Sequence, residues 1–166
     1  MCTSTKIREF KPRRDLCKWM QTNATNYTMP VCGRGKQCPT LAQSRFGFHV
    51  RGDSLGANWL HDTMLSGTVP IFTMKGQYAT VPSWFDWDKL SYFADIANET
   101  IFMSSIKQIM GDKEGYQLRH QNVLSNRELF DWVGGYPFDT YMYMLQAHVF
   151  PNQRVNHTRY TALKLP

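Results

Sequence analysis

Residues 45–73 read RFGFHVRGDSLGANWLHDTMLSGTVPIFT, and several textures follow one another within that stretch. Arg45–Val50 alternates and is rich in β-forming residues, as a half-buried strand is. Arg51-Gly52-Asp53-Ser54 breaks the pattern with turn residues. From Asn58 to Ser66 the period becomes helical. Trp59, Leu60, Thr63 and Met64 share a face, and Gly67 stands where a C′ glycine closes a helix. Thr68–Thr73 is a short apolar strand, and Pro70 inside it marks a strand start or a sheet edge. Strand, turn, helix and strand within about 30 residues make one βαβ unit with parallel strands.

The rest of the chain extends this unit. Residues 74–89 form a Gly/Pro/aromatic loop ending in Trp84-Phe-Asp-Trp87, and Leu90–Ala94 reads as a third strand. Glu99–Met110 is an amphipathic helix stopped by Gly111. Asp112–Val133 reads as one long helix ended by Gly134-Gly135, and Pro137–Val149 as a last helix with Pro137 in its first turn. The expected class is α/β: a short, Rossmann-like parallel sheet flanked by helices, spanning residues 43–150. Residues 1–42 read as a basic arm with a short helix around Leu16–Gln21, and residues 151–166 as a tail.

Composition narrows the class of protein. The 166 residues are 42% hydrophobic and 19% charged, enough apolar content for a core and too little charge for a disordered chain. No apolar run reaches the ~18 residues of a membrane helix, and the N-terminal MCTSTKIREFKPRR has no apolar core of a signal peptide. The net charge of +6 is uneven. Residues 1–42 hold eight Lys/Arg against Glu9 and Asp15, whereas residues 43–166 are neutral. A neutral body argues against a nucleic-acid-binding module, so no nucleic-acid partner is expected. The arm's basicity is that of a solvated segment, or of one that meets an anionic surface.

All four cysteines (Cys2, Cys17, Cys32 and Cys38) lie in the arm, which suits two disulfides with three pairings open. Zinc fits poorly: Cys32 and Cys38 are six apart and no His precedes His49. Four of the eight Asn (Asn23, Asn26, Asn98 and Asn156) head N-x-[ST] sequons, where chance gives about one. Cysteines and sequons together point to the secretory pathway. The expectation is then a piece of a longer, membrane-anchored protein.

Candidate chemistry gathers after the first strand. In open α/β sheets ligands sit beyond the carboxyl ends of strands. There Arg51 offers a cation, Gly52, Ser54 and Gly56 permit a tight backbone turn, and a helix starts near Ala57–Asn58, an arrangement suited to phosphate. Asp62, one turn into that helix, can accept hydrogen bonds from ribose hydroxyls. An ordinary βα turn is the competing reading. His49 and His61 flank the site and are candidates for acid–base work, although such histidines are more often structural. Asp86 and Asp88 do not make a metal site; Asp86 reads as a turn cap. Trp84 and Trp87 suit core packing more than sugar stacking, and Tyr141, Met142, Tyr143 and Met144 suit helix packing.

The run Gly52-Asp53-Ser54, Leu60, Asp62 and Gly67-Thr-Val-Pro-Ile71 resembles the exostosin-like family, glycosyltransferase family 47. That family's pattern is P-x-G-D-[ST], a Ser-rich turn, R-L-F-[DE]-A, then G-x-[VI]-P-[VI]. Val81-Pro82, Phe85-Asp86-Trp87, Leu90-Ser-Tyr-Phe93, Asn122–Trp132 and Pro137–Leu145 are similar to its later stretches. The resemblance covers about residues 40–150. It implies the C-terminal, donor-binding half of a GT-B fold, with an N-terminal half or membrane anchor elsewhere. It implies an inverting transfer, with no metal or other cofactor, from a nucleoside-diphosphate sugar to a glycan or glycoprotein acceptor in the Golgi or another secretory lumen. The donor-facing residues it implies are Arg51, Gly52, Asp53, Ser54, Asn58 and Asp62. The chain departs from the pattern at Trp59, where the family has Arg, and at Gly56-Ala57, where it has Ser-Ser. Arg51 or Arg45 is then the cation expected to stand in. The alternative is a catalytically inactive or truncated member that binds sugar or a partner.

Overall fold

The computed structural model describes residues 11–23, 37–52, 55–56, 59–83, 85–133 and 137–150. Strands β1 (Phe46–His49), β2 (Val69–Phe72) and β3 (Tyr92–Phe93) form one parallel sheet in the order β1-β2-β3. Helix α3 (Trp59–Leu65) links β1 to β2. The chain is therefore α/β, with a short three-stranded parallel sheet flanked by helices. Every residue of β2 is buried, as a central parallel strand covered on both faces requires.

Two apolar clusters fill the two sides of the sheet. One joins Leu60 and Met64 of α3 to Phe72, Phe85, Trp87, Leu90, Val123, Leu129 and Phe130. The other joins Ile71 to Val50, Ala94, Ile96 and three residues of α5 (Glu99–Gly111), namely Phe102, Ile106 and Ile109. Ile71 and Phe72 are neighbours in sequence and face opposite layers, as the strand period dictates. Each such fully buried side chain contributes about 1.5–3 kcal/mol.

Helix α1 (Lys11–Thr22) is longer than the Leu16–Gln21 expected within the basic arm. Its Leu16 and Met20 are buried in the second cluster, and Trp19 packs on Phe102 at 5.9 Å. Four residues apart, Leu16 and Met20 lie on one helical face, which explains how a basic segment also carries core residues. A second short helix, α2 (Gln37–Ala42), follows before β1.

Gly67 closes α3 as expected, with φ +76°. Its N–H donates to Met64 O (3.1 Å) and that of Thr68 to Thr63 O (3.0 Å), the two bonds of a Schellman ending. Pro70 does not mark an edge; it pairs with Gly47 inside the central strand. The N–H of Val69 donates toward β1, to Arg45 O. The N–H that Pro70 lacks would point to the other side, where β3 pairs only from Ile71 onward. The missing donor therefore costs no ladder bond.

The expected third strand, Leu90–Ala94, is shortened. Trp87–Leu90 is instead a helical turn, α4, which buries Trp87 and Leu90 together. Ser91 ends it by donating both its N–H (2.8 Å) and its hydroxyl (2.6 Å) to Trp87 O. The expected long helix Asp112–Val133 is also divided, into α6 (Lys113–Asn126) and a 3-10 turn, Arg127–Phe130. Buried Asn126 donates back to Asn122 O at 2.7 Å, an amide side chain competing with the helix ladder. The tighter turn then brings Leu129 and Phe130 into the core together. Helix α7 (Pro137–Val149) has the expected bounds, and Tyr141 and Met142 on it are exposed; the side chains of Tyr143 and Met144 lie outside the described residues.

Candidate functional site

The carboxyl end of β1 leads into Val50, Arg51 and Gly52. Arg13 of α1 reaches this turn from 37 residues upstream, its Nε donating to Arg51 O at 3.1 Å and its Nη2 reaching Val50 O at 3.5 Å. Gly52 is buried beneath the guanidinium, and a Cβ there would lie 2.8 Å from Arg13 Nη2. A side chain at this position would have to push the Arg13 guanidinium aside. Arg51 itself is exposed.

His49 sits at the root of the turn and is 1% exposed. Its ring meets Phe72 edge-on at 4.9 Å, and neither ring nitrogen has a hydrogen-bond partner. Burial, and then the nearby charge of Arg13, lower its pKa to about 4, so the imidazole is neutral at pH 7. Its carbonyl accepts from Thr73 Oγ1 (3.0 Å) and Gln77 Nε2 (2.8 Å).

Gln77 is the hub of this end of the sheet. It lies in the 3-10 turn Lys75–Thr80 and is fully buried. Its Oε1 accepts from the N–H groups of Thr73 and Met74, both at 2.9 Å, and its Nε2 also reaches Leu55 O at 3.4 Å. One amide thus ties the ends of β1 and β2 to the β1–α3 loop. Gln77, Thr73 and Arg13 were not legible as site residues. Each lies far from the turn in sequence and carries no local motif.

Asp62 is exposed in the first turn of α3, and no described residue bonds or pairs with its carboxylate. His61 is also exposed, but it has different company: its ring packs against Phe130 (6.0 Å) and Trp132 (6.5 Å). Asp53, Ser54 and Asn58 lie outside the described residues, as does Trp84. Helix α3 has only seven residues, so its own dipole adds little positive charge.

Arg45 does not stand in for the cation at this end. It precedes β1, and its guanidinium lies over the ring of Tyr116 (4.1 Å) and near that of Phe46 (5.4 Å). A four-residue strand, roughly 13 Å long, separates it from Arg51. Asp86 precedes α4 at the N-cap position, but its carboxylate pairs with Lys89 Nζ at 3.3 Å instead of capping. Trp87 is core, its Nε1 donating to Pro82 O. Among the described residues no group of three His, Cys, Asp or Glu is placed to hold a metal, and no helix is long and apolar enough to cross a membrane.

Comparison with protein families, with curated proteins and with solved structures finds no match for this chain.

Proposed function

We propose that this chain is the donor-binding domain of an exostosin-like glycosyltransferase. It would take a nucleoside-diphosphate sugar and pass the sugar, with inversion and with no metal at the donor site, to a glycan or glycoprotein acceptor. The β1–turn–α3–β2 unit carries this reading. Its turn lies at the carboxyl end of a parallel strand, where α/β sheets hold ligands, and Asp62 stands exposed on the next helix. Arg51 and the turn face the diphosphate, and Asp62 accepts from the ribose hydroxyls. An acceptor hydroxyl oxygen bonds to the anomeric carbon as the bond to the diphosphate oxygen breaks. Negative charge grows on the departing diphosphate, and the cationic turn offsets it. A histidine with a pKa of about 4 is too weak a base at neutral pH, which leaves His61, not His49, as the histidine candidate for taking the hydroxyl proton.

Asn23 and Asn98 are exposed, which suits the Golgi or another secretory lumen as the place of action. The test is a thermal-shift and calorimetric panel of UDP, GDP and their sugars against the chain and Asp62→Ala. One nucleotide should stabilise the wild type at sub-millimolar concentration, and Asp62→Ala should weaken it at least about tenfold through the lost ribose bonds. Unchanged binding in Asp62→Ala would remove the assigned role.

A second reading, a non-catalytic member that binds a partner, is favoured by one observation. Phe138, Tyr141, Met142, Leu145 and Val149 are exposed along one stripe of α7, and Trp132 and Val133 are exposed as well.

A further inference from the structure

The arrangement around Arg13 goes beyond a cation near a turn. Arg13 engages two consecutive carbonyls, those of Val50 and Arg51. In a trans peptide the C=O and the following N–H point to opposite sides. No described residue is joined by a cis bond. With both carbonyls drawn to one guanidinium, the N–H groups of Arg51 and Gly52 are turned together toward the other side. Among the described residues neither N–H has an acceptor. Gly52 is buried, and a buried N–H without a partner is rare and costly. His49, two residues before Arg51, carries a second orphan: its imidazole is 99% buried, with both nitrogens unpartnered. Successive N–H groups that face one way form an anion-binding nest.

We propose that the N–H groups of Arg51 and Gly52 form a nest for a phosphate group, and that Arg13 of α1 is the residue that positions it. The proposal deepens the donor-site reading and rests on it for the identity of the ligand, a nucleoside diphosphate. Arg13 holds the two peptide planes and adds positive charge behind them. The N-terminal helix, and not the β1–α3 loop alone, thereby completes the site.

The probe is inorganic pyrophosphate, with UDP and GDP beside it, titrated into the 15N-labelled 166-residue chain. The expected result is a downfield shift of the Arg51 and Gly52 amide protons that saturates with pyrophosphate. Arg13→Gln should weaken binding at least tenfold without loss of fold, and Arg13→Lys should restore part of it. Binding without shifts at Arg51 and Gly52, or equal affinity in a folded Arg13→Gln, overturns the nest and leaves the donor reading standing. Shifts with pyrophosphate but with neither nucleotide support the nest and overturn the donor reading. No response to any of the three overturns both. Should Arg13→Gln not fold, Gly52→Ala is the second variant, because its Cβ displaces the guanidinium. It should lose the same affinity, and unchanged affinity overturns the proposal.

Discussion

At the scale of the residue, the burial of His49 has a thermodynamic consequence. Its folded pKa of about 4 lies below the ordinary 6.5, chiefly through desolvation and then through Arg13. Between those values the unfolded chain binds more protons than the folded one, so stability falls as pH drops from 6.5 toward 4. The full effect is on the order of 3 kcal/mol. Replacing His49 with Leu should flatten that part of the pH–stability curve, read by chemical denaturation at pH 7, 5.5 and 4.5. An unchanged slope would mean that another group titrates there. The sequence showed His49 at the end of a strand and beside a turn, and so made it a candidate. It could not show that both ring nitrogens are shut away, because Phe72 and Gln77, which enclose and tether it, come from other elements.

At the scale of the element, the end of α3 was legible because it is local. Glycine two residues after Leu65, followed by a β-forming run, is a stop signal that needs no distant partner. Gly67→Ala should cost about 1–2 kcal/mol, since it forces a side chain into φ +76° and sets its Cβ 2.9 Å from Leu124 Cδ2. A drop in Tm of a few degrees checks this, and a neutral result would mean that the turn relaxes. The breaks at Trp87–Leu90 and Asn126 were not legible, because they exist to bring Trp87, Leu90, Leu129 and Phe130 into one cluster. Helix α7 was placed correctly by Pro137 in its first turn, and Tyr141 and Met142 on it are exposed. Its exposed stripe gives a direct check: Phe138→Ala and Leu145→Ala should each cost under about 0.5 kcal/mol if nothing covers that face. A cost of ~2 kcal/mol or more, or a Tm that rises with protein concentration, would show that the stripe is covered in solution and would favour the partner-binding reading.

At the scale of the whole molecule, α1 belongs to the core and to the candidate site at once. Leu16 and Met20 pack with Ile71 and Phe102 on one side of the sheet while Arg13 holds the turn after β1. Leu16→Ala should therefore destabilise the entire chain by about 2–4 kcal/mol, measured by urea unfolding, which a detached arm would not do. It should also weaken any anion binding at the turn. Charge counting had set residues 1–42 apart, because eight cations within 42 residues dominate the composition. What charge counting does not register is a two-residue apolar stripe on the same helix.

The sequence by itself determined the βαβ unit, the Gly67 stop, the α/β class and the end of β1. Each follows from periodicity and turn chemistry within a few residues. Tertiary structure alone decided that Arg13 crosses to the end of β1, that Gln77 bonds the His49 carbonyl, and that His49 is neutral and enclosed. Those properties depend on distances between residues 24 to 38 positions apart, and on desolvation, neither of which is encoded in any local pattern.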